Sequence, residues 1–302
     1  MTGRVIAVTG AGGFIGRALV PALRLAGCSV RTIGRGGTSD FRWDPEGGTI
    51  DAATLTGVDS VVHLAGTNIA VRWTARTRRE IVDSRTLGTR LIASAFAASG
   101  GGATAPRVLV SASAIGFYGD RGDAPLDEAS STGDGFLADV VRQWESAAEP
   151  ARTAGIRTVH PRTGVVLSPS GGALQRLLLP FQLGVGGRIG AGTQWMSWVS
   201  LDDTVRAIRF AIDHDTLHGA VNVVAPEPVT NAEFTTTLAR VLSRPALVPV
   251  PAAALRLMFG AMADETLLAS QRARPARLLA AGFRFAHPAL DEALRFELRR
   301  AK

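Results

Sequence analysis

The 302-residue chain contains one cysteine, one tyrosine and one lysine. With Cys28 alone, no intramolecular disulfide framework or cysteine-rich zinc site can form, and its apolar setting just before a strand reads as chemically inert. No apolar run approaches the ~20 residues of a membrane-spanning helix. The chain opens on Arg4-Val5-Ile6-Ala7-Val8, which reads as a first strand rather than a basic stretch leading into an apolar leader. A reducing, cytoplasmic setting without a membrane partner is therefore expected. Because Lys302 is the only lysine, the other 32 basic residues are arginines, and the formal charge is +7. They scatter instead of forming a stripe interleaved with aromatics, so no dedicated nucleic-acid site is expected. Local arginines suit an anionic small ligand better.

With 46% apolar residues, the chain can bury a substantial core unaided. Its first half alternates short β-branched runs (Val5–Val8, Val30–Ile33, Ser60–Leu64, Val108–Val110, Thr158–His160) with amphipathic stretches (Ile15–Ala26, Ala75–Ala98, Gly135–Ala154). Stretches of that length suit right-handed crossovers, so the pattern predicts an α/β fold, a Rossmann-type doubly wound parallel sheet buried on both faces. A flexible connection is expected at 99–103. The alternation breaks after about Val166, and the glycine-rich stretch Gly184–Gly192 suits no ordinary strand. Leu201–Asp213 reads as a helix and Ala220–Val224 as a strand returning to the sheet. Asn231–Leu242, Ala252–Gly260 and Ala289–Arg300 read as a mainly helical end, with Asn231 as N-cap. The division expected is a cofactor-binding domain over 1–165 plus about 201–225, and a smaller, mainly helical C-terminal substrate lobe over about 166–200 plus 226–302.

Val5 to Arg17 reads as strand, glycine turn and helix start, with glycines at 10, 13 and 16. Gly10 permits the tight turn, Gly13 lets backbone approach a pyrophosphate, and Gly16 allows close helix–strand packing, while free N–H groups at the helix start attract the anion. A site preferring NAD places a carboxylate about 20 residues further on, where it binds the ribose hydroxyls. Here Ile33-Gly34-Arg35 stands in that place, and a guanidinium there suits the 2′-phosphate of NADP(H).

Thr9-Gly10-x-x-Gly13-x-x-Gly16, Val62-His63-Leu64-Ala65-Gly66, Ser111-Ala112-Ser113-Ala114 and Pro161-Arg162-Thr163-Gly164-Val165-Val166 together resemble the extended short-chain dehydrogenases/reductases. Ser84-Arg85, Phe117-Tyr118-Gly119-Asp120, Phe136-Leu137-Ala138, Trp144-Glu145, Gly171-Gly172-Ala173-Leu174, Pro180-Phe181 and Leu268-x-x-Ser270-Gln271 narrow the resemblance to the epimerase-like branch of the NAD-dependent epimerase/dehydratase-like family, with its own C-terminal segment. It spans essentially the whole chain. The resemblance implies that Gly12, Gly13, Phe14 and Ile15 lie against the pyrophosphate and Arg35 against the adenosine phosphate, with Trp43 and Asp44 near adenine. It places Leu64, Ala65 and Gly66 along the cofactor, Arg85 near a ribose–phosphate and Val166 beside the nicotinamide. Glu80, five residues before Arg85, reads either as the residue that orients it or as a solvated helical glutamate.

Most such enzymes use Tyr-x-x-x-Lys, whose lysine lowers the tyrosine pKa for proton exchange during hydride transfer. This chain cannot hold that pair, because the stretch where it is expected reads Phe136-Leu137-Ala138-Asp139-Val140. Tyr118 is the first candidate to stand in, with Ser113 in the place of the family's serine and Asp120 and Asp139 as further carboxylates. Core packing of Tyr118 and a structural Ser113 remain open. Arg162 and Arg188 are candidate contacts for an anionic substrate. His214-Asp215-x-x-His218 lacks a third ligand, so no metal is expected; histidines at a helix end explain it. Trp195-Met196-Ser197-Trp198 offers either an aromatic wall or core packing. The expectation is an NADP(H)-dependent oxidoreductase or epimerase-like enzyme acting on a small-molecule substrate, for which the family suggests a nucleotide sugar. A catalytically silent NADP(H)-binding regulator is the alternative, and a structural partner without dinucleotide affinity the third. The oligomeric state is left open.

Overall fold

The computed structural model describes residues 3–100 and 107–299. In its first half the chain runs β1 (Val5–Thr9), α1 (Phe14–Leu25), β2 (Ser29–Gly34), β3 (Phe41–Asp44), β4 (Thr49–Ile50), β5 (Ser60–His63), α2 (Ala75–Ala98), β6 (Val108–Ser111), β7 (Ser113–Ala114), β8 (Pro125–Leu126), α3 (Phe136–Ser146), α4 (Glu149–Thr153) and β9 (Arg157–Thr163). It continues through β10 (Val165–Leu167), α5 (Gly172–Gln182), β11 (Trp195–Met196), β12 (Trp198–Ser200), α6 (Leu201–Asp213), β13 (Gly219–Val223), β14 (Val229–Thr230), α7 (Asn231–Leu242), α8 (Ala252–Phe259), β15 (Arg272–Ala273), α9 (Ala276–Ala280) and α10 (Leu290–Arg299).

The main sheet orders its parallel strands β3-β2-β1-β5-β6-β9-β13, with β4 antiparallel on the β3 edge and β7 beside β9. The order reverses between β1 and β5, so a crevice opens there at the carboxyl ends of the strands, the ordinary ligand site of such sheets. Strand residues alternate between two cores. Ile6, Val8, Val62, Val108 and Val110 join α1 and α6 on one face, while Ala7, Val61 and Leu109 join α2 and α4 on the other. A third cluster (Leu167, Leu174, Phe181, Trp198, Phe234, Leu238, Leu290, Leu294) forms a separate core around α5, α7 and α10.

Three expectations need correction. The stretch expected as one helix over Gly135–Ala154 is two, α3 and α4, since Pro150 has no N–H to continue a helix and sits in the first turn of α4. The N-cap of α7 is Thr230, which exchanges hydrogen bonds with Glu233 in a capping box; Asn231 is the first helical residue, and its Oδ1 accepts from Ile189 N at 2.7 Å, tethering the glycine-rich stretch. The short β3 was not expected at all. Residues 101–103 of the glycine-rich connection, and Arg300 at the end of the last helix, lie outside the described residues. Among the described residues, no helix is long and apolar enough to cross a membrane.

Candidate functional site

Gly10 leaves β1 at φ +69°, and a Cβ there would lie 2.8 Å from the carbonyl carbon of Leu64. A Cβ on Gly16 would fall 2.3 Å from Gly10 O, so only glycine lets α1 start this close to the turn. Gly12 and Gly13 are exposed, and a Cβ on Gly12 would meet only open space. No side chain caps α1, whose first helical bond past the turn is Arg17 N to Gly13 O at 3.0 Å. The N–H groups of Phe14, Ile15 and Gly16 thus face the crevice without a carbonyl from their own helix, the arrangement that attracts phosphate. The Phe14 ring leans on Gly171 and Gly172, where a Cβ on Gly171 would come within 2.4 Å of it, joining the start of α1 to that of α5.

Two further strand ends border the crevice. Beyond β5, Leu64, Ala65 and Gly66 turn outward, held by Thr9 Oγ1, which accepts from Leu64 N at 3.2 Å and bonds His63 Nδ1 at 2.6 Å. Burial lowers the pKa of His63 to about 3, so the ring is neutral. Beyond β2, Arg35 is exposed and Gly34 precedes it. Asp40, the carboxylate in the turn that follows, is spent on Thr32, accepting from its N at 2.7 Å and its Oγ1 at 2.9 Å. Residues 35–39, between β2 and Asp40, carry no acidic side chain. Val166 lies in β10, mostly buried.

Arg85 lies over the face of Trp144 at 5.0 Å and donates to the carbonyls of Thr67 (3.1 Å) and Ile81 (3.2 Å), with its guanidinium against Gly66. Burial lowers its pKa to about 10, which leaves it charged. Glu80 does not orient it. One helical turn separates Glu80 from Arg76, and the pair closes at 2.8 Å instead. The Trp43 ring turns inward between Gly88 and the edge of His63, 7% exposed. Asp44 is exposed at the end of β3 and accepts from Glu46 N.

The proton-transfer candidates are drawn into a buried network. Ser113 Oγ donates to Glu145 Oε1 at 2.6 Å, and Arg162 grips the same carboxylate through Nε (2.8 Å) and Nη2 (2.9 Å). Arg162 Nη1 donates to the Tyr118 hydroxyl at 3.3 Å, which itself donates to Asn222 Oδ1 at 2.7 Å. Burial alone would raise the Glu145 pKa, but hydrogen bonds from Arg162 and its charge override it, and the net shift is downward. Burial pushes the Tyr118 phenol up. Tyr118 is fully buried and Ser113 nearly so. Both hydroxyls are turned into this network and away from solvent, which favours the packed Tyr118 and the structural Ser113 left open above, and Arg162 is paired with Glu145 rather than free. Asp139 pairs with Arg142 at 2.7 Å, and Asp120 accepts from Gly122 N and Ser270 N. Arg188 is exposed on the glycine-rich stretch, apart from the Arg162 pair. Burial divides Trp195–Trp198: Ser197 and Trp198 are core, while Trp195 is partly buried beneath Arg272. His214 ends α6 against the Phe210 ring. Cys28 is buried, which pushes its thiol pKa up and disfavours the thiolate.

Residues 6–225 match the NAD dependent epimerase/dehydratase family. The chain belongs to that family. Residues 250–297 match a second family, a domain of unknown function. An epimerase family protein of Mycobacterium bovis is 46% identical over 298 residues, covering 97% of each chain. The crystal structure of the human epimerase family protein SDR39U1, determined with NADPH, has a TM-score of 0.89 at 35% identity and covers 98% of this chain and 99% of that one. A nucleoside-diphosphate sugar epimerase of Corynebacterium glutamicum has a TM-score of 0.79 at 36% identity, over 98% of this chain and 58% of its own.

At the position where this family ordinarily carries its tyrosine, the structure places Phe136, the first residue of α3, and Val140 is buried one turn later. Two residues at this helix start escaped sequence reasoning. Glu265, which accepts from Leu137 N at 2.8 Å, lies 128 residues away in sequence and carried no signal. Arg78, whose guanidinium lies over the Phe136 ring, was hidden among neighbouring arginines.

Proposed function

We propose that this protein binds NADP(H) in the crevice between β1 and β5 and acts on a small molecule as an oxidoreductase or epimerase-like enzyme that does not use Tyr-x-x-x-Lys. The observation that carries the reading is the uncapped start of α1 behind Gly10, Gly13 and Gly16, with Arg35 and no free carboxylate at the end of β2. The NADPH bound to the human relative supports the same cofactor here. Gly12 to Ile15 would hold the pyrophosphate, Arg35 the 2′-phosphate, and Leu64 to Gly66, Arg85 and Val166 the nicotinamide half. Bound there, the cofactor would supply or accept hydride. The chain's own contribution is to orient it and exclude water, with Arg85 held in place by carbonyls and Trp144. The name of the Corynebacterium relative makes nucleotide sugars the first substrate class to screen.

The test is transfer of deuterium from NADPH labelled on one face of C4 to a panel of nucleotide sugars and simple carbonyls. Stereospecific transfer supports the enzyme. Tight cofactor binding with no transfer supports a second reading, a silent NADP(H)-dependent regulator, which is favoured by the burial of the Ser113 and Tyr118 hydroxyls in a satisfied network. A cytoplasmic location accords with either reading.

A further inference from the structure

α2 and α3 lie side by side, and two arginines seven residues apart on one face of α2 rest on two aromatic rings of α3. Arg85 lies over Trp144 and is tied to two carbonyls. Arg78, two turns earlier, lies 4.8 Å from the Phe136 centroid and 5.7 Å from that of Trp73, and the two rings meet edge to face at 5.0 Å. Unlike Arg85, its guanidinium makes no hydrogen bond or ion pair with any described residue, although it is half-buried. Glu265, the carboxylate at the same helix start, is held on Leu137 N and against Gly135 instead.

A guanidinium held over aromatic rings spends none of its N–H donors on them. The two rings hold the cation and cover part of it, while its donors are left without a partner among the described residues, which suits an oxyanion. Its place is set by Trp73, in the segment between Gly66 and α2, and by Phe136 at the start of α3; Phe136 stands where the family ordinarily carries its tyrosine, which on the NADP(H) reading turns this cation toward the nicotinamide half. We propose that Arg78, laid across Phe136 and Trp73, anchors an oxyanion of the substrate, a phosphate or a carboxylate. Phenylalanine at 136 then has a positive role, as the platform for this cation.

The inference rests on the NADP(H) reading above, and its test separates the two. Full-length protein is first titrated with NADPH; failure of the wild type to bind would overturn the cofactor reading and this one with it. NADPH-saturated protein is then titrated calorimetrically with UDP-glucose as the phosphate probe and glucuronate as the carboxylate probe. At least one should bind, and which one does identifies the source of the oxyanion. Arg78→Gln should weaken that probe by about tenfold or more, Arg78→Lys should recover part of the loss, and Phe136→Leu should weaken it several-fold without changing any charge. NADPH affinity should stay within about twofold throughout, which also reports that each variant is folded. Binding of neither probe, or binding indifferent to Arg78→Gln, would overturn the proposal while leaving the cofactor site standing.

Discussion

Single side chains decide most of the chemistry here, and two of them can be tested through stability alone. Glu145 is 14% exposed and Arg162 6%, and they hold each other in a buried ion pair that also anchors Ser113 and Tyr118. Glu145→Gln keeps an acceptor but leaves the guanidinium uncompensated, so urea unfolding should show a loss of about 3–5 kcal/mol; a loss below about 1 kcal/mol would contradict the network. Gly16→Ala puts a methyl against Gly10 O and should lose about 1–3 kcal/mol by the same measurement. The residues legible in sequence were those with a local backbone reason, such as Gly10 at its positive φ and Gly16 against the turn. Glu145, the true partner of Ser113 and Arg162, was not, because its contacts join α3 to β7 and β9, and nothing local announces such a meeting.

At the scale of elements, segments with an unbroken apolar pattern were readable, from the four residues of β5 to the length of α2, and those without one were not. α2 occupies its expected span to the residue, since its apolar spacing continues through 24 residues. β3 has four residues and only Trp43 buried, too few for an alternation to stand out. The start of α7 shows how near a misreading can lie: Thr230 and Asn231 are both good N-caps, and the reciprocal bond of Thr230 with Glu233 decides between them. Thr230→Ala should therefore destabilise the protein by about 1 kcal/mol, seen as a lowered midpoint in denaturant with unchanged slope. An unaltered midpoint would mean that this cap contributes nothing.

Across the whole molecule, two buried neutral histidines tie the main sheet to pH. Burial holds His63 at about 3 and His160 at about 4, against about 6.5 in an unfolded chain. Their folded pKa values are depressed, so the stability linked to them is fully present above about pH 6.5 and is lost as pH falls toward the folded values. Between about pH 6.5 and 4 the unfolded state binds up to two extra protons, and unfolding free energy should drop by up to about 2.7 kcal/mol per pH unit. Glu145, whose pKa is lowered, adds its own loss only below about pH 4.3. Denaturant titrations across this range check the slope, and a flat profile would mean that neither histidine is buried neutral. The same sheet carries the central claim, that the crevice between β1 and β5 is an NADP(H) site read by Arg35. Calorimetric titration of cofactor-free protein with NADPH and NADH, repeated on Arg35→Glu, tests it most directly. NADPH should bind at least about tenfold more tightly than NADH and lose that advantage in the variant. Equal or tighter binding of NADH by the wild type, or an NADPH preference that survives Arg35→Glu, would contradict the assignment.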